Sequence, residues 1–272
     1  MNGLFRQSHL LTGYIPGADA LSVVAKTVDR LRAINPSLIY VLDPVMGDEG
    51  RIYVSESVIP IYKSLMPKSS CATPNYFEAE LLTDVKIVDA ASLRLALRTF
   101  HERYRIPHVV ISAVPLPRTE LPKLGLVAPD SSDKMLVCAG SSMLSASGRP
   151  LETVSFGIAF PELAEHYEGV GDVFSSLILA RFPSLIPDHT HLHPISPLAR
   201  TTELAIASLQ GVIAHTRTNA LRLAGGDASL LVGGEGEGAE ARVKRLRMVE
   251  LRLIHSQKEI RDPTITFPAT RF

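Results

Sequence analysis

An unbroken apolar run, Leu38-Ile39-Tyr40-Val41-Leu42, constrains the fold of this chain more than any other feature. A strand with one solvated face alternates apolar and polar residues, whereas a continuous run of this length is typical of a parallel strand covered on both faces. The run ends at Asp43-Pro44, as expected where a buried strand reaches a functional edge of a sheet.

The same pattern recurs along the chain. Helical spacing of apolar residues predicts helices over 18–33 and around 93–104, and buried strands follow each of them at 38–42 and 108–112. A strand-like segment at 10–14 precedes the first helix. Further strands are predicted at 134–139 and 154–160, and further helices at 172–182 and 202–215. Alternating elements of this kind favour an α/β fold with a doubly wound, mainly parallel sheet and helices on both faces.

Composition narrows the function classes. The 272 residues carry 28 Lys plus Arg and 28 Asp plus Glu, so no overall charge attracts nucleic acid or an anionic membrane. Two distant cysteines, Cys71 and Cys138, argue against a disulfide scaffold. No apolar stretch approaches the roughly 20 residues that cross a bilayer, and no secretory signal is recognisable at the start. We therefore expect one cytoplasmic domain over residues 1–272.

Three short segments carry residues suited to chemistry. The first, Asp43-Pro44-Val45-Met46-Gly47-Asp48, places two carboxylates just past a buried strand. Mg²⁺ prefers such oxygen ligands and commonly shares them with substrate phosphates. The simpler alternative is a turn that ends the strand, with Asp48 in solvent.

In the second segment, Thr73-Pro74-Asn75-Tyr76-Phe77-Glu78, Asn75 and Glu78 lie three residues apart at a predicted helix start. That spacing also fits a capping box, in which Glu78 only bonds back to the helix start. Taken alone, the segment favours the capping box.

The third segment, Gly169-Val170-Gly171-Asp172, precedes an apolar helix. Small residues at a helix start let backbone N–H groups and the positive end of the helix dipole face a phosphate. Asp172 could accept a proton from an attacking hydroxyl, or it could be an ordinary helix cap.

The three segments in this order resemble the pyridoxal kinase family of the ribokinase-like fold. Further matches extend the resemblance over nearly the whole chain, and the last of them resembles the closing strand of fungal and yeast-type members: Leu11-Thr12-Gly13-Tyr14, Gly50-x-x-Tyr53-Val54, Phe77-Glu78-Ala79-Glu80-Leu81-Leu82, Val110-Ile111-Ser112 and Glu250-Leu251-Arg252-Leu253-Ile254.

The resemblance implies ATP-dependent phosphorylation of the 5'-hydroxyl of pyridoxal, pyridoxine or pyridoxamine, in a family of homodimers. It implies that Asp172 is the base and contacts the substrate, and that Gly169, Val170 and Gly171 form the anion hole. Other roles follow from the same likeness: Asp43, Asp48 and Glu78 for Mg²⁺, Asn75 for phosphate-bound water, Thr73 and Ser112 near the phosphates and a monovalent cation such as K⁺, and Tyr14 against the pyridine ring.

The chain departs from the family pattern in several places. Val170 replaces a usual threonine, and Ser112-Ala113 replaces Thr-Ser. No segment matches the first strand-rich part of the family, which predicts an N-terminally truncated chain. Residues 224–241, rich in Gly, Ala and Glu, have no counterpart in shorter members, and their composition predicts a flexible insert.

Two other functions remain open at this point. Hydroxymethylpyrimidine kinase is a neighbouring family, but it typically has Cys where this chain has Asp172. A catalytically silent protein that binds nucleotide or a full-length partner is the alternative from another class. The tract His189-x-His191-x-His193 favours a solvated loop over a metal site.

Overall fold

The computed structural model describes residues 7–128, 135–144, 152–182, 193–234 and 236–272. Its strands are β1 (His9–Thr12), β2 (Ile39–Leu42), β3 (Gly47–Asp48), β4 (Arg51–Ile52), β5 (Cys71–Ala72), β6 (His108–Pro115), β7 (Met135–Leu144), β8 (Glu152–Pro161) and β9 (Thr270–Arg271). Its helices are α1 (Ala18–Ile34), α2 (Ile59–Leu65), α3 (Tyr76–Thr83), α4 (Ala90–Tyr104), α5 (Val170–Ala180), α6 (Pro197–Leu223), α7 (Ala239–Met248) and α8 (Gln257–Arg261).

Seven strands form one sheet in the order β1-β2-β5-β6-β7-β8-β9. The first four are parallel, and β7, β8 and β9 are each antiparallel to the strand before them. Five of the seven strands, the first four and β8, therefore share one direction. The predicted α/β fold with a mainly parallel sheet is confirmed.

Helices cover both faces of this sheet. Side chains alternate along each buried strand, so Tyr40 and Leu42 enter the core under α1–α4, while Ile39 and Val41 enter the core under α5–α7. This alternation explains why the strand is apolar at every position. None of the described helices combines the length and the apolar character that crossing a bilayer requires.

The predicted closing strand at the Glu250-Leu251-Arg252-Leu253-Ile254 run is wrong. Residues 239–248 form α7, a short 3₁₀ turn follows at Leu253–Ser256, and the strand that ends the sheet is β9, paired with β8. The apolar residues Val243 and Leu246 are three apart, which suits a helix, and Ile254 is exposed.

The segment at 224–241 has contacts that its composition did not predict. A 3₁₀ turn at Ala228–Leu231 buries Leu231 completely, and Glu237 forms two hydrogen bonds with Arg245 of α7. The flexibility of this segment stays a prediction, but part of it packs against the helical layer.

Candidate active site

The carboxyl ends of the parallel strands bring together most of the residues singled out in the sequence. The Asp43 N–H donates to Thr12 O at 2.9 Å, and the Thr73 N–H donates to Leu42 O at 3.0 Å. These bonds extend the ladders just past β1, β2 and β5. On the next strand, the Ser112 N–H donates to Pro74 O at 3.0 Å. Asp43, Thr73 and Ser112 therefore lie along one edge of the sheet.

Asp43 is a buried carboxylate held by α5. The Ser175 hydroxyl donates to Asp43 Oδ2 at 2.9 Å, and the Ser175 and Thr73 hydroxyl oxygens lie 2.8 Å apart. Burial raises the pKa of Asp43 to about 7, the hydrogen bond from Ser175 lowers it, and the negative charge of Asp172 raises it. Asp43 and Asp172 thus interact across the junction between β2 and α5.

Glu78 links the first motif, at 43–48, to the second, at 73–78, through hydrogen bonds. It forms the capping box with Asn75 at the start of α3, and its Oε1 also accepts the Met46 N–H at 2.9 Å. Burial raises the pKa of Glu78 to about 8, and the charge of Asp43 raises it as well, although backbone hydrogen bonds at Asn75, Met46 and Gly47 lower it. The capping box favoured by the sequence is confirmed.

A short hairpin of β3 and β4 carries Asp48 at the rim of this cluster. A Cβ on Gly47 would lie 2.2 Å from Arg51 O and 2.8 Å from a Phe77 ring carbon, so only glycine fits there. The Asn75 amide donates to Gly47 O at 2.8 Å. Asp48 itself is exposed, and its Oδ1 accepts the Glu49 N–H at 2.8 Å.

The glycine-rich turn contrasts with these buried groups because it is open. Gly169 has φ of 79°, a left-handed conformation that favours glycine, and it caps α5. A Cβ on Gly171 would meet no atom within 4 Å, so packing within the described chain does not require a glycine there. The carboxylate of Asp172 is exposed, and its Oδ1 lies 3.6 Å from the point where a Cβ on Gly13 would stand.

Packing and one ion pair hold the loop that leads to this turn. The Arg217 Nε of α6 donates to Glu165 Oε1 at 2.6 Å, and the Glu165 side chain is buried. Tyr167 is also buried, and its hydroxyl has no hydrogen-bond partner among the described residues. The loop therefore enters α5 from a fixed position.

Two exposed aromatic side chains flank the acidic cluster. The rings of Tyr14 and Tyr53 are 6.5 Å apart between centroids and inclined by 44°. Burial of its hydroxyl, together with nearby carboxylates, raises the pKa of Tyr53 to about 12. The carboxylates that act on Tyr53 are Glu78, Asp48, Asp43 and Asp172. One aromatic ring is thus within the electric field of every predicted acidic site residue.

A cavity of about 280 Å³ lies beside the turn. Glu168, which immediately precedes Gly169, forms one side, and α7 with the residues after it forms the other. Its lining from that side consists of Val243, Leu246, Arg247, Val249 and Glu250.

Sequence reasoning did not identify Ser175 or the cavity that α7 lines beside the glycine turn. Ser175 lies three residues after Asp172, so helical spacing was the available signal for placing it near Asp43. Of the histidine tract, residues 189 and 191 lie outside the described residues. His193 Nε2 is 3.3 Å from the buried Glu203 Oε2, an acidic neighbour that the sequence did not predict. The described residues contain no group of three His, Cys, Asp or Glu side chains arranged to hold a metal ion by themselves.

Comparison with known proteins agrees with this geometry. The family model described as phosphomethylpyrimidine kinase matches residues 5–138. Pyridoxal kinase of Arabidopsis thaliana is 30% identical over 272 residues, which cover 100% of this chain and 73% of that protein. Human pyridoxal kinase is 31% identical over 278 residues, covering 99% and 77% respectively.

A solved structure extends the likeness to three dimensions. Leishmania donovani pyridoxal kinase, in complex with ADP and pyridoxamine, matches with a TM-score of 0.70 and 27% identity. The match covers 99% of this chain and 76% of that one. The likeness therefore spans the glycine turn, the acidic cluster and α7 together, and the chain belongs to the pyridoxal kinase family.

Proposed function

We propose that this chain transfers the γ-phosphoryl group of ATP to the 5'-hydroxyl of pyridoxal, pyridoxine or pyridoxamine in the cytoplasm. One observation carries the proposal. The exposed carboxylate of Asp172 lies in the first turn of α5, directly after a glycine turn, and it is close enough to Asp43 to raise the pKa of that buried group.

In this mechanism Asp172 accepts the proton of the attacking hydroxyl. The N–H groups in the first turn of a helix have no partners within the helix, and the helix dipole makes that end electropositive. Those N–H groups, at Gly169, Val170 and Gly171, bind the transferring phosphoryl group. The open space above Gly171 supports this role, because it leaves room for a phosphate to approach the backbone N–H groups.

The acidic cluster fits a divalent cation. Asp43 and Glu78 are buried carboxylates with raised pKa values. Neither of them forms an ion pair with a described lysine or arginine. Buried acids without a cation are costly unless they are protonated or bind a metal. Mg²⁺ held there by one or two of the carboxylates of Asp43, Glu78 and Asp48, and through water on the others and on Asn75, would neutralise charge on the ATP phosphates.

That cation site requires the phosphates to complete it. The absence of a ready group of three ligands among the described residues agrees with Mg²⁺ that keeps waters and shares one or two carboxylates with the nucleotide. Thr73 and Ser112 lie at the same edge, where their hydroxyl groups would contact phosphate or a K⁺ ion. The K⁺ site and the homodimer remain predictions from family resemblance.

The vitamin and the nucleoside occupy opposite sides of Asp172 in this proposal. Tyr14 and Tyr53 present two exposed rings to a flat pyridine ring on the side of Gly13. The cavity between Glu168 and α7 takes the base of ATP on the other side, because Val243, Leu246 and Val249 give it apolar walls. A nucleotide bound in this way has its phosphates at the glycine turn.

The direct test is formation of pyridoxal 5'-phosphate from pyridoxal, ATP and MgCl₂ by the purified chain, with hydroxymethylpyrimidine as the competing acceptor. We expect phosphorylation of the pyridoxal vitamers to dominate. Preference for the pyrimidine would favour the second candidate, which the family model matched to residues 5–138 supports. ATP binding without transfer to either acceptor would favour the silent nucleotide-binding protein.

A further inference from the structure

We propose that Glu237 and Arg245 form a clamp through which the Gly/Glu-rich segment at 224–241 holds α7 against the base cavity and sets the affinity for ATP. The inference rests on the proposed nucleotide site. It gives a function to a segment whose composition predicted a flexible insert.

The clamp is a bidentate ion pair that is largely removed from solvent. Arg245 Nε and Nη2 donate to Glu237 Oε1 and Oε2 at 2.9 and 2.8 Å, and the two side chains are 11% and 18% exposed. Two parallel bonds fix the planar guanidinium in direction as well as position. An exposed single-bonded pair would have little such effect.

Two further contacts join the same segment to α7. The guanidinium lies against Gly233, where an added Cβ would be 2.9 Å from Nη2. Leu231 is fully buried and belongs to the same apolar cluster as Met248 and Val249, at the end of α7. The segment therefore contacts α7 at its middle and at its carboxyl end.

The clamp and the cavity are on different faces of α7. Val243, Leu246 and Arg247 recur at helical spacing and line the cavity, whereas Arg245 is rotated about 200° from Val243 at 100° per residue. Arg245 is thus a positioning residue. It does not form the cavity wall itself but holds the helix that carries the wall.

This arrangement separates the base from the phosphates. The phosphates bind at Gly169–Asp172, which α7 does not carry, so loosening α7 weakens contacts with the nucleoside alone. We expect Glu237→Gln and Arg245→Gln each to weaken ATP binding about fivefold to tenfold, equivalent to roughly 1–1.4 kcal/mol. Binding of inorganic tripolyphosphate, which has no nucleoside, should change less than about twofold.

The experiment is calorimetric titration of the full chain with ATP and with tripolyphosphate, each with MgCl₂. Glu240→Gln is the matched control, because Glu240 is an exposed acid in the first turn of α7. The double variant Glu237→Gln/Arg245→Gln should lose no more ATP affinity than either single variant if both act through one pair. Thermal melting of every variant verifies that it is folded.

Three outcomes would overturn the clamp. They are ATP affinity that stays at the wild-type value in Glu237→Gln, equal weakening of ATP and tripolyphosphate, and additive losses in the double variant. If Arg245→Gln does not fold, Glu237→Gln alone decides the first two outcomes. Wild-type protein that binds neither ligand would overturn the nucleotide site and the clamp with it, whereas unaltered ATP binding in the variants would overturn the clamp alone.

Discussion

The buried acidic cluster and the open glycine turn lie at the same edge of the sheet but differ in construction. Asp43 and Glu78 are buried, and their oxygens accept hydrogen bonds from Ser175, Met46 and Asn75. The turn at 169–172 is exposed, and its first-turn N–H groups have no partners within the helix. The oxygens of the cluster are therefore already hydrogen-bonded within the protein, whereas the N–H groups of the turn are free to bind a ligand.

This difference assigns the two regions different roles. A group that performs proton transfer must reach the substrate, which Asp172 can and the buried pair cannot. Buried carboxylates instead hold a fixed charge at a fixed place. Mutations in the turn should affect transfer more than folding, and mutations in the cluster should affect both.

The largest expected effect is on catalysis by Asp172→Asn. The amide keeps the shape of the side chain but cannot accept the proton, so phosphorylation of pyridoxal should fall about a hundredfold or more. ATP affinity and melting temperature should change little. Steady-state rates of the wild type and the variant decide the matter, and equal rates in two folded proteins would make Asp172 an ordinary helix cap.

A smaller effect on both activity and stability is expected from Ser175→Ala. The change removes the buried hydrogen bond that lowers the pKa of Asp43, so that pKa should rise above its value of about 7. We expect the acid side of the pH–rate profile to move to higher pH and the free energy of unfolding to fall by about 1–2 kcal/mol.

Ser176→Ala is the matched control for that change, since Ser176 is the exposed neighbour on the same helix. Its pH profile should coincide with that of the wild type. Coincident profiles for Ser175→Ala and Ser176→Ala would show that the hydroxyl of Ser175 has no influence on the acid that controls activity.

The cluster should also make stability depend on pH. In the folded state the pKa of Asp43 rises from 3.8 to about 7, and that of Glu78 rises from 4.5 to about 8. Between the unfolded and folded pKa values of each group, the folded chain binds more protons than the unfolded chain. Stability contributed by these groups is present at low pH and is lost as pH rises. Burial lowers the pKa of His101 and His108, so these two groups make stability rise with pH, but only below about pH 6.5.

The net decline should therefore appear between about pH 6.5 and 8. Melting temperatures measured across that range in EDTA should fall by a few degrees. A loss of about 1 kcal/mol in the free energy of unfolding has an effect of that size in a chain of this length. MgCl₂ should reduce the decline because it binds the ionised pair. Asp43→Asn should make the decline smaller, because only Glu78 then contributes to it. A melting temperature that rises over this range in EDTA would contradict the raised pKa values of the two acids.

Local sequence patterns predicted much of the fold. Each face of β2 packs against a helical layer, so the run at 38–42 had to be apolar throughout, and that is a local signal. The reversal of direction at β7 and β9 was not predicted, because strand direction depends on how long connections cross the sheet. The run at 250–254 resembled a closing strand because apolar residues alternate with charged ones there, but the sheet ends at β9, far along the chain from that run.

The candidate site was predictable where one motif carries the chemistry and less so where two motifs meet. Gly169–Asp172 could be interpreted as an anion site from its own residues. The capping box at Asn75 and Glu78 was also local, but the bond from Met46 to Glu78 joins residues 32 apart in sequence. The contacts of Ser175 with Asp43 and Thr73 span still larger separations. Helical spacing places Ser175 on the same face as Asp172, but it does not show which distant residues that face meets.

The smallest effect is expected from Tyr167→Phe, two residues before the turn. The hydroxyl of Tyr167 is buried without a partner among the described residues. Removing it therefore breaks no hydrogen bond within the described chain. The free energy of unfolding should be unchanged or should rise by up to about 1 kcal/mol.

Tyr104→Phe is the control, because the Tyr104 hydroxyl donates to Leu82 O in a buried site, and its removal should instead cost about 1 kcal/mol. ATP affinity gives the second measurement. If Tyr167→Phe weakens ATP binding without changing the melting temperature, the hydroxyl bonds to the nucleotide, and the turn region, like the acidic cluster, depends on a buried polar group.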